Sequence, residues 1–149
     1  MGYQHILVPI DGSPTSLSAI EQAANLAITY HSEVTVLYVL TIDPFINIEY
    51  ISSPTSTQDD ALNQTRNIIK TIMDEAQKKF LSYGLEVNTL IIEGQEVHKE
   101  ITRVADEQHI DLIVIGSHGR TGVRKLVLGS VTQKLLGETK LPVLVVRGE

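Results

Sequence analysis

The sequence predicts an α/β fold, with one open, mostly parallel sheet and helices on both faces. Short apolar runs alternate with segments of helical period along the whole chain. Each run but the last is followed by such a segment, as strand–helix–strand crossovers require. The run Asp111-Leu112-Ile113-Val114-Ile115 is apolar past its first residue, which suits a strand covered on both faces.

The elements follow in order. His5 to Ile10 is the first strand, short and β-branched. It stops at Asp11-Gly12-Ser13-Pro14, where Ser13 fits a helix N-cap and Pro14 the first helical position, whose N–H has no partner in any case. The helix that follows runs to about Tyr30 and should bury Leu17, Ile20, Ala24 and Ala27. Val34 to Leu40 is the second strand. Thr41 to Asp60, polar and acidic with Pro44 and Pro54, reads as a long loop, a length that in compact domains often accompanies function or mobility. The next helix spans roughly Asp59 to Tyr83, with Leu62, Thr65, Ile69, Ile72, Met73, Ala76 and Phe80 as its buried stripe and Gly84 ending it. Leu85 to Ile92 is the third strand. Glu96 to Gln108 is an amphipathic helix with Val97, Ile101, Val104 and Ala105 on one face. Asp111 to Ile115 is the fourth strand. A glycine-rich loop, Gly116 to Gly122, leads to a last helix that ends near Gly137, and Pro142 to Val146 is the fifth strand. That last helix starts either near Arg124 or, after an irregular stretch from Arg120 to Leu128, at a cap on Ser130.

The chain has 149 residues, which suits a single domain over 1–149. A domain of this size buries ~70% of its unfolded surface and needs no metal or disulfide to hold it. Hydrophobic residues are 42% and charged residues 20%, which excludes a disordered, collagen-like or coiled-coil chain. Without cysteine there is no disulfide scaffold, thiolate metal site or cysteine nucleophile. The net charge of −6 disfavours nucleic acid and anionic membranes as partners. Its distribution is uneven: Gly116 to Lys140 carries five basic residues and one acidic, so a small anion could find a favourable patch there. No targeting segment or membrane-length apolar run is visible, so the expected location is the cytoplasm.

In an open parallel sheet, ligands bind beyond the carboxyl ends of the strands where the strand order reverses. Glycines 116, 119 and 122 allow several backbone N–H groups to face one anion. If Ser130 caps a helix whose first turn holds Val131, Thr132 and Gln133, the exposed amides and the helix dipole attract phosphate. Other nucleotide motifs fail. The fifth residue after Gly116 is Thr121, so there is no P-loop, and no GxGxxG follows the first strand. There is no GxSxG elbow, and Ser117 with His118 beside it is a poor nucleophile–base pair, because sequence neighbours rarely take that geometry.

The spacing Gly116-x2-Gly119-x9-Gly129-Ser130 resembles the phosphate-binding motif of the universal stress protein family, in its ATP-binding branch. The opening Ile6-Leu7-Val8-Pro9-Ile10-Asp11-Gly12-Ser13, the phrase Asp111 to Gly119 and the ending Leu141 to Val146 carry the same resemblance, which spans essentially the whole chain. It implies a five-stranded parallel sheet of order 3-2-1-4-5, Rossmann-like. It also implies that Pro9 and Asp11 flank the adenosine, with Asp11 near the ribose or a metal-bound water, and that Val39 meets the adenine through its backbone. Gly116, Ser117, His118, Gly119, Arg120, Thr121 and Gly122 would wrap the ribose and phosphates. Gly129 completes the motif, and Ser130, Val131 and Thr132 would hold phosphate oxygens through hydroxyl and backbone donors. A divalent cation, Mg²⁺, would bridge the phosphates, with no direct protein metal site beyond Asp11.

The resemblance further implies a homodimer through Val143 to Val146. The residues agree, since this would be an apolar edge strand without protective charges. Asp11 has an alternative role in capping the next helix or bonding a turn. His118 reads as a solvated or backbone-bonded loop residue rather than a metal ligand. His5, His31, His98 and His109 read as surface residues. No carboxylate pair stands out as general acid and base, and no catalytic residue is assigned. The expected function is a nucleotide-dependent sensor or regulator in the stress response. The rivals are a slow ATPase or self-phosphorylating enzyme and a nucleotide-independent interaction module.

Overall fold

The computed structural model describes residues 2–41, 57–118 and 128–148, the side chains of 57–62 excepted. Five strands, β1 (His5–Pro9), β2 (Glu33–Thr41), β3 (Asn88–Gly94), β4 (Leu112–Gly116) and β5 (Val143–Val146), form one sheet in the order β3-β2-β1-β4-β5. Every neighbouring pair is parallel. The helices are α1 (Pro14–Tyr30), α2 (Thr57–Ser82), α3 (Val97–Glu107) and α4 (Ser130–Glu138).

Alternation along the strands sorts side chains into two cores. Ile6, Val8, Val34, Val36, Leu112 and Val114 face α1 and α2, where they meet Ala19, Ala23, Ala27, Met73 and Phe80. Leu7, Leu37, Ile113 and Ile115 face α3 and α4, where they meet Ile101, Val104 and Leu135. The sheet is therefore covered on both sides, as its apolar runs require.

Several expectations need correction. Leu17 is exposed, because the buried stripe of α1 runs through Ser16, Ala19, Ile20, Ala23, Ala24 and Ala27 and leaves Leu17 at its margin. In α2 the buried stripe begins at Ile69; residues 63–68 are all exposed, Thr65 among them, and the side chain of Leu62 lies outside the described residues. Residues 42–56 of the expected loop lie outside the described residues as well, while Thr57 to Asp60 are already helical and Thr41 ends β2. The third strand begins at Asn88 rather than Leu85. Leu85 and Val87 instead pack against the α1–α2 core after Gly84 closes α2 at φ +80°. The last helix starts at Ser130 with Gly129 as its N-cap, so Ser130 is the first helical residue and not the cap.

Of the four histidines read as surface residues, His31 and His109 are exposed, and both take left-handed backbone at helix ends. His98 is buried. It lies between α3 and α4, with Nε2 3.4 Å from a Glu138 carboxylate oxygen and 3.9 Å from one of Glu96. His5 is half-buried, its Nε2 2.7 Å from the Thr35 hydroxyl.

Candidate functional site

The carboxyl ends of β1, β2 and β4 converge on one cleft of about 130 Å³, open to solvent on one side. One wall is apolar: Pro9 and Ile10 from β1 and its end, Leu37 and Val39 from β2, Val97 and Ile101 from α3, Ile115 from β4 and Val131 from α4. The polar groups are Asp11, Ser13, Ser16, Tyr38, His118 and Thr132. The location is the one an open parallel sheet dictates, since β1 has one neighbour reached through α1 and another reached through α3.

Local chemistry fixes each part. Beyond Pro9, the Ile10 amide donates to the Leu37 carbonyl at 2.8 Å, so the chain leaves the sheet one residue later. The Asp11 carboxylate accepts the Ser13 amide at 2.9 Å, an Asx turn that brings Ser13 into the N-cap position of α1. Gly12 bridges the two at φ +83°, directly beneath Ile72 of α2. The alternative reading of Asp11 as a turn-bonding residue is therefore realised, and Asp11 lines the cleft as well.

On the other side, the end of β4 is bound to the start of α4. The Thr132 hydroxyl donates to the Gly116 carbonyl at 2.9 Å, and the Gly129 amide donates to the Ser117 carbonyl at 2.6 Å. The Ser117 amide in turn donates to the Val146 carbonyl of β5 at 2.8 Å. These bonds hold the N-terminus of α4 at the carboxyl end of β4. The first amides of a helix have no acceptor within it, and here those of Ser130, Val131 and Thr132 lie at that end. The Thr132 proton is committed to Gly116, so its backbone N–H is the donor it can offer a ligand.

Pro9, Asp11, Val39, Gly116, His118, Val131 and Thr132, all read from the sequence as site residues, line this cleft together. Ser117 is buried behind it, with Oγ 2.9 Å from Nδ1 of His118. A buried hydroxyl cannot reach a substrate, which weighs against Ser117 as a nucleophile. Gly129 and Ser130 do not line the cleft but begin the helix that does. Gly119, Arg120, Thr121 and Gly122 lie outside the described residues. Sequence reading missed Val97 and Ile101 as lining residues, because a cleft wall and a core stripe share one helical period. It also missed Ser16, whose hydroxyl donates to the Ser13 carbonyl at 2.8 Å.

At the start of α3, a hydrogen bond from Lys99, whose Nζ lies 2.8 Å away, holds the Glu96 carboxyl below the usual carboxylate range and raises the lysine. Both groups are fully solvated, so the pair does little for stability. Among the described residues no group of three histidine or carboxylate side chains could hold a metal ion, and no helix is long and apolar enough to cross a membrane.

Residues 2–147 match the model of the universal stress protein family. Universal stress protein YxiE of Bacillus subtilis is 32% identical over 150 residues, covering 97% of this chain and 99% of that protein. The solved structure of protein MJ0577 of Methanocaldococcus jannaschii superposes with a TM-score of 0.83 at 28% identity, covering 100% of this chain and 99% of the other. A universal stress protein of Archaeoglobus fulgidus in complex with dAMP shares the fold, with a TM-score of 0.68 at 23% identity and coverage of 98% and 99%.

Proposed function

The chain belongs to the universal stress protein family, and from that premise we propose that it binds an adenine nucleotide, ATP with Mg²⁺, in the cleft at the ends of β1, β2 and β4. The observation that carries the reading is the N-terminus of α4, bound through Thr132 and Gly129 to the end of β4, with an apolar wall beside it. A flat, apolar base suits that wall, and the backbone of Val39 at the end of β2 suits the edge of an adenine. The amides of Ser130, Val131 and Thr132 suit phosphate oxygens, helped by the helix dipole. Asp11 is a hard oxygen donor at the same cleft, and with the phosphates it suits a divalent cation or a water bound to one. The dAMP complex of the Archaeoglobus protein is an instance of this fold holding an adenine nucleotide.

The protein acts as a homodimeric, cytoplasmic regulator whose surface responds to nucleotide, not as a fast enzyme. The described lining residues of the cleft include no lysine, so phosphoryl transfer to water or to the protein itself is slow if it occurs. The dimer forms through β5, whose outer edge is unpaired in the sheet.

Calorimetric titration with ATP, with and without Mg²⁺, tests the reading, together with AMP and cAMP as competitors. The expected result is a dissociation constant of about 1–100 μM, roughly −8 to −5.5 kcal/mol, and little phosphate release over hours. No heat and no competition would remove the nucleotide and leave an interaction module. Rapid phosphate release would make the protein an ATPase.

A further inference from the structure

Thr15, in the first turn of α1, lies where three parts of the molecule meet. Its hydroxyl donates to the main-chain carbonyl of His118 and lies 3.3 Å from the Ser13 hydroxyl. Its backbone and Oγ1 are 2.9 Å from where a Cβ on Gly116 would stand, and its methyl is 2.6 Å from the same point on Gly148. Gly116 ends β4 and Gly148 follows β5, so one threonine touches the exits of both strands and the residue that starts the chain toward α4. His118 is held a second time through its ring, by the Ser117 hydroxyl. It also lines the cleft, whereas Thr15 does not.

We propose that Thr15 is a positioning residue of the site: its hydroxyl fixes the main chain at His118, and thereby the wall that a nucleotide would meet. The proposal rests on the nucleotide reading for its consequence, and on the hydrogen bond alone for its cause. Without that bond the carbonyl of His118 loses its tie to the first turn of α1. The methyl group packs against Gly148 but does not set the orientation of His118.

Thr15→Val keeps the shape and removes the hydroxyl; Thr15→Ser keeps the hydroxyl and removes the methyl. Two readouts apply to each. The first is amide exchange of Ser117, measured by NMR on nucleotide-free protein, because Ser117 sits between the fixed carbonyl and its own bond to Val146. The second is the affinity for ATP. Thr15→Val should speed the exchange and weaken ATP by about tenfold each, the order expected for one lost hydrogen bond, while Thr15→Ser stays within about twofold of the parent on both. Unchanged Ser117 exchange in Thr15→Val overturns the proposal, and so does a Thr15→Ser loss as large as that of valine. A parent protein that ignores ATP defeats the nucleotide reading alone, and the exchange result then still decides whether Thr15 anchors the wall.

Discussion

Gly116→Ala should melt several degrees below the parent and bind ATP at least about tenfold more weakly, a strain of about 1–3 kcal/mol being typical of an overfilled site. The new methyl would stand 2.9 Å from the carbonyl carbon of Thr15 and 2.9 Å from its Oγ1. The first of these atoms is backbone in the first turn of α1, and it cannot swing aside as a side-chain tip can. Relief therefore requires β4 and α1 to separate at their shared end. That end carries the Gly116 carbonyl to which Thr132 donates, so strain there displaces the N-terminus of α4. Gly137→Ala is the internal contrast. It is exposed in the last turn of α4 with nothing within 4 Å of the added carbon. Alanine there should raise stability by about 0.5–1 kcal/mol and leave ATP binding unchanged. Thermal melts and calorimetry on the two variants read both effects.

Leu144→Lys should turn the proposed dimer into a monomer in sedimentation velocity without changing the fold. β5 pairs with β4 on one side only. Leu144 is exposed on this edge strand, and Leu136 of α4 is exposed as well. Two lysines brought together across a paired edge repel each other and resist desolvation. Val145 is a poorer place for the charge, because it packs against the core formed with α3 and α4, and a lysine there would disturb the interior as well as the edge. A Leu144→Lys protein that stays dimeric would put the interface on another surface.

Much of the fold is legible in the sequence because each strand is a compact apolar run and each helix carries one apolar face. The strands β1, β4 and β5 fall within a residue of their expected bounds. What is not legible depends on who the neighbours are. Leu17 and Ile20 both look buried on a helical wheel, and only the position of the sheet decides that Leu17 faces water. His98 lies among Glu96, Lys99 and Glu100 in a charged stretch of sequence, yet the packing of α3 on α4 encloses it against Glu138. The cleft shows the same division. Gly116 and Thr132 are marked by turn chemistry and spacing, which are local, and Pro9 and Asp11 by the family resemblance. Val97 and Ile101 become cleft residues only because α3 crosses back over the sheet to reach β4. Thr15 carries no sequence signal at all beyond its place in the first turn of a helix.

The central claim is that the backbone amides opening α4 receive phosphate oxygens, and amide NMR shifts test it most directly. On titration with ATP, the Ser130, Val131 and Thr132 amides should move strongly downfield, as charge-assisted hydrogen bonds require. Adenosine should perturb Val39 and leave those three in place. ATP that binds while the three amides stay still would contradict the account.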